Sequence, residues 1–136
     1  MTVETLSVSA AAALLGVSDD TVRRWVDAGR LAASRSPRGR LEIDGRDLAR
    51  LAQELAASSP LAEEFPGHRT SSRNRITGIV TAVTRDTVMA QVELQAGPFR
   101  VVSLLSREAA DELGLEPGVV AAATVKATNV SVELPG

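Results

Sequence analysis

The chain has 136 residues, 44% hydrophobic and 24% charged, with a formal net charge of -2 at neutral pH. This is an ordinary soluble composition, long enough for one domain or two of about 60 residues, each with a modest core that favours association with further copies. Zero cysteines and a single histidine, His68, exclude disulfides, thiolate metal sites and histidine-cluster centres.

In chain order, Ser7 or Ser9 is placed to cap a first helix carrying Ala12, Leu14 and Leu15, with Gly16 suited to a left-handed C-cap. Gly16-Val17-Ser18 then reads as a tight turn. Ser18 or Asp19 caps a second helix in which Val22, Trp25 and Val26 share one face, so Trp25 is expected in the core. Asp20, Thr21, Arg23 and Arg24 lie elsewhere on its surface. Two short extended segments around Ser36-Pro37-Arg38-Gly39 read as a hairpin, with Leu41 and Ile43 inward and Glu42 outward. Asp44 caps a third helix with Asp47 in its first turn and a stripe of Leu48, Leu51 and Leu55.

Charge is unevenly distributed along this segment. From Arg23 to Arg40 the basic residues are Arg23, Arg24, Arg30, Arg35, Arg38 and Arg40, against Asp27 alone. Short polar residues followed by arginines on one helix suit entry into a major groove, where arginine pairs with guanine or anchors on phosphate. Asp19 and Asp20 would repel phosphate unless they cap the helix or accept from cytosine. The order helix, turn, helix, hairpin, helix, with LLGVSDDTVRRWVDAGRL at its centre, resembles the excisionase and MerR-type winged helix-turn-helix domains over Leu6 to Leu55. That resemblance implies double-stranded DNA as partner and Ser18, Thr21, Arg23, Arg24, Arg35, Arg38 and Arg40 as the DNA-binding set.

Periodicity fails from Ala56 to Thr70, where Ser58-Ser59-Pro60 and Pro66-Gly67 break any helix. The reading is a flexible linker containing a solvated His68. Domain boundaries are expected at 1–57, 58–69 and 70–136. Beyond the linker the period changes to two: Val88, Ala90, Val92 and Leu94 alternate with Met89, Gln91, Glu93 and Gln95, and Phe99, Val101 and Ser103 alternate with Arg100, Val102 and Leu104 after a Gly97-Pro98 turn. Ser106 caps a short helix through Leu113 with Gly114 at its end. Pro117-Gly118 turns into a strand from Val119 to Lys126, and Asn129 begins a last strand through Val132 and Leu134. The fold class expected is α+β: a winged helix-turn-helix followed by an OB-like five-stranded β-barrel.

Several separated segments of this half, SSRN followed by Gly78, Ser103 and Ser106 ahead of EAADELGL, and VKATNVSV, resemble in order and spacing the Mop/TOBE oxyanion-binding domain of molbindins and molybdate-responsive regulators. The sequence departs from that pattern at Ser72, Ser103 and Thr128, where Ala, Thr and Ser are usual. The resemblance implies an oxyanion shell of Ser71, Arg73, Ser103, Ser106, Lys126 and Thr128. It also implies molybdate or tungstate as ligand, and anion sites between subunits of a homo-oligomer, dimer or higher, held by the C-terminal domain. Such dianions offer four acceptor oxygens and no donors, so hydroxyls and amides converge on them while Arg73 or Lys126 offsets charge. Metal enters only as the oxyanion.

Together these readings give a molybdate- or tungstate-responsive DNA-binding regulator of molybdate transport or molybdenum-cofactor genes. The alternatives are a molbindin-like storage protein whose helix-turn-helix is not regulatory, and an excisionase-like DNA architectural protein whose barrel only oligomerises. No catalytic residues are expected, because no nucleophile, base and orienting group recur together, and no Walker-type glycine loop is present. No apolar run reaches membrane length and no signal-peptide order opens the chain, so a cytoplasmic location without a membrane partner is expected.

Overall fold

Val8, Ala11, Ala12 and Leu15 recur at the 3.6-residue period and form the inward stripe of helix α1, Val8–Leu15, in a computed structural model that describes residues 4–135. Ser7 caps α1 by accepting from the amide of Ala10, and Gly16, at φ 68, ends it in the left-handed region that side chains disfavour. Leu14, another apolar residue of this helix, is 69% exposed, because its angular position falls off that stripe.

Helix α2, Asp19–Asp27, is capped by Ser18. It buries Val22 fully, and Trp25 and Val26 partly, against α1. Strands β2, Ala33–Arg35, and β3, Leu41–Asp44, form the expected hairpin. Its turn is closed by Gly39 donating to the Ser36 carbonyl at 2.8 Å, with Gly39 at φ 82. An additional strand β1, Thr5–Ser7, pairs with β3 and completes a three-stranded sheet of order β1-β3-β2. Asp44 caps α3, Gly45–Ala57, by accepting from the amides of Arg46 and Asp47. Leu31, Ile43, Leu48 and Leu51 close the core under both layers.

The chain divides into two units, Met1–Pro60 and Leu61–Gly136. The second begins with one helical turn α4, Leu61–Glu64, inside the segment expected to lack structure. Its body is a four-stranded antiparallel sheet of β4, Asn74–Arg85, β5, Met89–Ala96, β6, Phe99–Ser106, and β7, Val120–Val125, in the order β6-β5-β4-β7. Between β6 and β7 lies α5, Arg107–Glu112, capped by Ser106.

The long β4 serves both β7 with its first half and β5 with its second. Two features let it bend between them. At Gly78 an added Cβ would come within 2.6 Å of the Gln95 carbonyl oxygen, so only glycine permits that approach. A register shift between Val80 and Ala82 adds a bulge. The resulting curled sheet buries Val80, Ala90, Val92 and Leu94 against Ala110 and Leu115. Arg85 fastens α5 and the following loop to β4, donating to Asp111 at 3.0 Å, to Glu116 at 2.9 Å and to the Leu115 carbonyl at 3.0 Å.

The fifth strand expected from Asn129 does not pair. Ala127–Asn129 form a 3-10 turn, and residues 130–135 join no sheet among the described residues. Alternation alone gives a segment strand character, whereas a strand also needs a partner edge.

Candidate functional sites

On the N-terminal unit, the cap that starts α2 also organises its exposed face. Ser18 and Thr21 share a hydroxyl hydrogen bond of 3.0 Å, and Arg24 donates to the Thr21 hydroxyl oxygen at 3.0 Å. Arg23, from the same helix, lines a shallow depression with Arg35, Arg40, Ser7 and Ser9. The fold thus brings together three arginines that are up to seventeen residues apart in sequence. Arg38 stands exposed at the hairpin turn, and Arg35 donates to the Gly39 carbonyl at 2.8 Å, which fastens the tip. Asp19 accepts from the Ser9 hydroxyl at 3.2 Å, and Arg30 lies over the partly buried Trp25 ring at 5.6 Å.

A clasp behind this face holds the helix-to-hairpin connection. Asp47 accepts from the amide of Ala32 at 2.7 Å and from Arg50 at 2.7 Å, while Arg50 also reaches the Arg30 carbonyl at 2.9 Å. Hydrogen bonding from the Arg50 guanidinium, then from the Ala32 amide, holds the Asp47 carboxyl below its usual range.

On the C-terminal unit, the register places four of the six expected anion-shell residues at one end of the sheet. Asn74, the first residue of β4, is opposite Val125, the last of β7, so Ser71 and Arg73 approach from one side and Lys126 and Thr128 from the other. Ser103, opposite Val92, lines a groove that also carries Thr124 and Val125. Ser106 is opposite Met89, toward the Arg85 end of β4, and lines a separate depression with Thr87, Arg107 and Glu108. Its oxygen accepts from the amide of Ala109 at 3.0 Å, which leaves the hydroxyl hydrogen free to donate.

Two residues beside the expected shell have structural roles not assigned from sequence. The Asn74 side-chain amide donates to the Val125 carbonyl at 3.1 Å and staples the two strand ends. Arg75 donates to Thr77 at 3.1 Å and to the Phe65 carbonyl at 3.3 Å, holding the segment before the motif against β4. Both belong to the run SSRNR, but the Val125 and Phe65 carbonyls that they reach, 51 and 10 residues away, are not revealed by periodicity. His68 is exposed, beside Thr70, Arg75 and Thr124 in a shallow depression. No group of carboxylates and histidine spaced to hold a metal ion occurs among the described residues, and no described helix is long and apolar enough to cross a membrane.

These two units are a helix-turn-helix domain followed by a TOBE domain: the family models of those descriptions match residues 5–56 and 70–132. The molybdenum-pterin-binding protein 3 of Clostridium pasteurianum is 36% identical over 63 residues, which cover 46% of this chain and 93% of that protein. The chain belongs, through its C-terminal unit, to the TOBE-domain family that includes this protein. It is also 41% identical over 71 residues to the molybdenum-pterin-binding protein MopA of Rhodobacter capsulatus, covering 52% of this chain but only 26% of MopA. A structure of the cytoplasmic molybdate-binding protein ModG with molybdate bound aligns at 40% identity with a TM-score of 0.48, over 51% of this chain and 50% of ModG.

Proposed function

We propose that this chain is a cytoplasmic regulator that binds molybdate or tungstate through its TOBE domain and duplex DNA through its helix-turn-helix, with the hairpin as a wing. The observation that carries the reading is the union in one chain of an arginine-lined helix-turn-helix surface with a domain whose relatives are molybdenum-pterin-binding proteins. Ser71, Arg73, Lys126 and Thr128 form one part of the anion shell, and Ser103 and Ser106, which line separate depressions, supply the rest. Their separation along a single sheet supports a shell shared between copies of a homo-oligomer. Anion binding at subunit contacts then alters the spacing or stability of the assembled DNA readers.

The donor set favours a fully deprotonated dianion. Guanidinium and ammonium groups can only donate, whereas phosphate at neutral pH is partly protonated and brings a donor that only a hydroxyl oxygen of the set could accept. Calorimetric titration with molybdate, tungstate, sulfate and phosphate, followed by binding to duplexes from the gene's own promoter with and without the anion, tests both halves. Anion binding without any duplex binding would replace the regulator with a storage protein. That second reading is favoured by the Clostridium relative, 93% of which is matched by the C-terminal unit alone.

A further inference from the structure

The first turn of α2 carries two adjacent carboxylates, Asp19 and Asp20, on a helix proposed to meet a polyanion. The structure separates their roles. Asp19 accepts from the Ser9 hydroxyl at 3.2 Å and so ties α2 to α1. Capping is done by Ser18, which accepts from the Thr21 amide at 3.1 Å. Asp20 is exposed, and its carboxylate has no partner among the described residues.

Asp20 and Arg24 have the i, i+4 spacing, acid first, that favours an ion pair on a helix. That pair is not made. Arg24 donates to the Thr21 hydroxyl oxygen at 3.0 Å, which leaves most of its N–H donors unused. At about 100° per residue, Asp20 and Arg24 stand about 160° and 200° from the buried Val22, on the line most directly opposed to the core. Arg23 stands on the flank, where it lines a depression of about 290 Å³ with Arg35, Arg40, Ser7 and Ser9. Asp27 shares the outward side but sits in the last turn, whereas the base contacts of a helix-turn-helix come from the N-terminal end of its second helix.

We propose that Asp20 is a specificity-determining residue that selects cytosine, while the arginines of the flanking depression hold backbone phosphate. In the major groove cytosine presents only its N4 amino donor. Adenine sets the N7 acceptor beside its N6 amino group, guanine offers two acceptors, and thymine an acceptor and a methyl group. A carboxylate only accepts, so cytosine alone meets it without repulsion. Arg24, steadied by Thr21, pairs with guanine through O6 and N7. Four helical residues span about 6 Å and base pairs are about 3.4 Å apart, so the selected cytosine and guanine lie within about two base pairs of each other. The same carboxylate penalises every duplex that gives it no donor, which makes it a device of discrimination and not of affinity. The inference rests on the proposed duplex binding and names a base that the helix reads.

Duplexes with a randomised segment are selected on the full chain, on Asp20→Asn and on Asp20→Ala, with and without molybdate. The unmodified chain is expected to enrich cytosine at one position, preferred about ten-fold or more over other bases in anisotropy titrations. Asp20→Asn is expected to replace that cytosine with adenine, whose N6 and N7 match a carboxamide, and to leave the other positions unchanged. Asp20→Ala is expected to accept all bases there alike and to bind non-cognate duplexes more tightly. One and the same motif from all three proteins, each shown to be folded by its melting curve, would overturn the role of Asp20 and leave duplex binding intact. A carboxylate that merely stabilises the helix gives that result together with lowered melting temperatures in both variants. No duplex enriched by any of the three would remove both the inference and the reading beneath it.

Discussion

Asn74 and Val125 are 51 residues apart in sequence and joined by a 3.1 Å hydrogen bond from the asparagine side-chain amide to the valine carbonyl. The bond closes the end of the sheet beyond which Ser71 and Arg73 precede β4 and Lys126 and Thr128 follow β7. Asn74→Ala is therefore expected to destabilise the unit by about 0.5–1.5 kcal/mol, the usual worth of such a bond, and to weaken oxyanion affinity without removing any expected anion ligand. Thermal melts with and without molybdate check this; a lowered melting temperature with unchanged affinity would separate the staple from the site.

Lys126 and Ser106 should differ in how their loss is felt. Removing a charged donor costs about 1.5–3 kcal/mol, so Lys126→Ala is expected to reduce molybdate affinity by roughly ten- to a hundred-fold. Ser106→Ala removes a neutral donor and the cap of α5, so its expected signature is a stability loss of about 1 kcal/mol with a smaller effect on affinity. Calorimetry and melting of the two variants read these separately, and equal losses of affinity would contradict the division of roles.

Duplex binding by the N-terminal unit should fall steeply with salt, because its exposed arginines displace counterions from phosphate. Replacing Arg38 and Arg40 with alanine is expected to weaken binding to all sequences alike. Changes at Thr21 or Arg24 should also shift base preference. Because Arg24 donates to Thr21, the effects of Thr21→Val and Arg24→Ala should not add. Fluorescence anisotropy across a salt series and a set of operator variants checks all three, and salt-independent binding would count against this surface.

Acid should loosen the N-terminal unit through Asp47. Arg50 and then the Ala32 amide lower its folded-state pKa, so its contribution is present above the unfolded-state value near about 4 and is lost as pH falls through the lower folded value. Asp86, lowered by the amides of Met89 and Val88, acts in the same sense in the β4–β5 turn. Melting from neutral pH down to about pH 2 should show a shallower acid loss in Asp47→Asn than in the unmodified chain. Identical slopes would assign the acid sensitivity elsewhere.

Most of the local structure was legible in the sequence. Ser18 and Asp44 as caps, Gly16 and Gly114 as helix ends, the hairpin around Pro37-Arg38-Gly39 and the buried alternation of Ala90, Val92 and Leu94 all rest on interactions spanning a few residues, or on one period. Pairing partners were not legible. Strand β1 is too short to declare itself without β3, and Leu14 was separable from the buried stripe only once Val8 was known to begin it. In the C-terminal unit the candidate anion residues came from the resemblance to the Mop/TOBE pattern, and side-chain chemistry, which is local, says only that each of them can donate. Only the tertiary structure decided which of them share an end of the sheet, because the Asn74–Val125 register is a long-range choice. It also left the tail from Val130 to Leu134 unpaired: its alternation belongs to the sequence, but hydrogen bonding along a strand requires a free edge elsewhere in space.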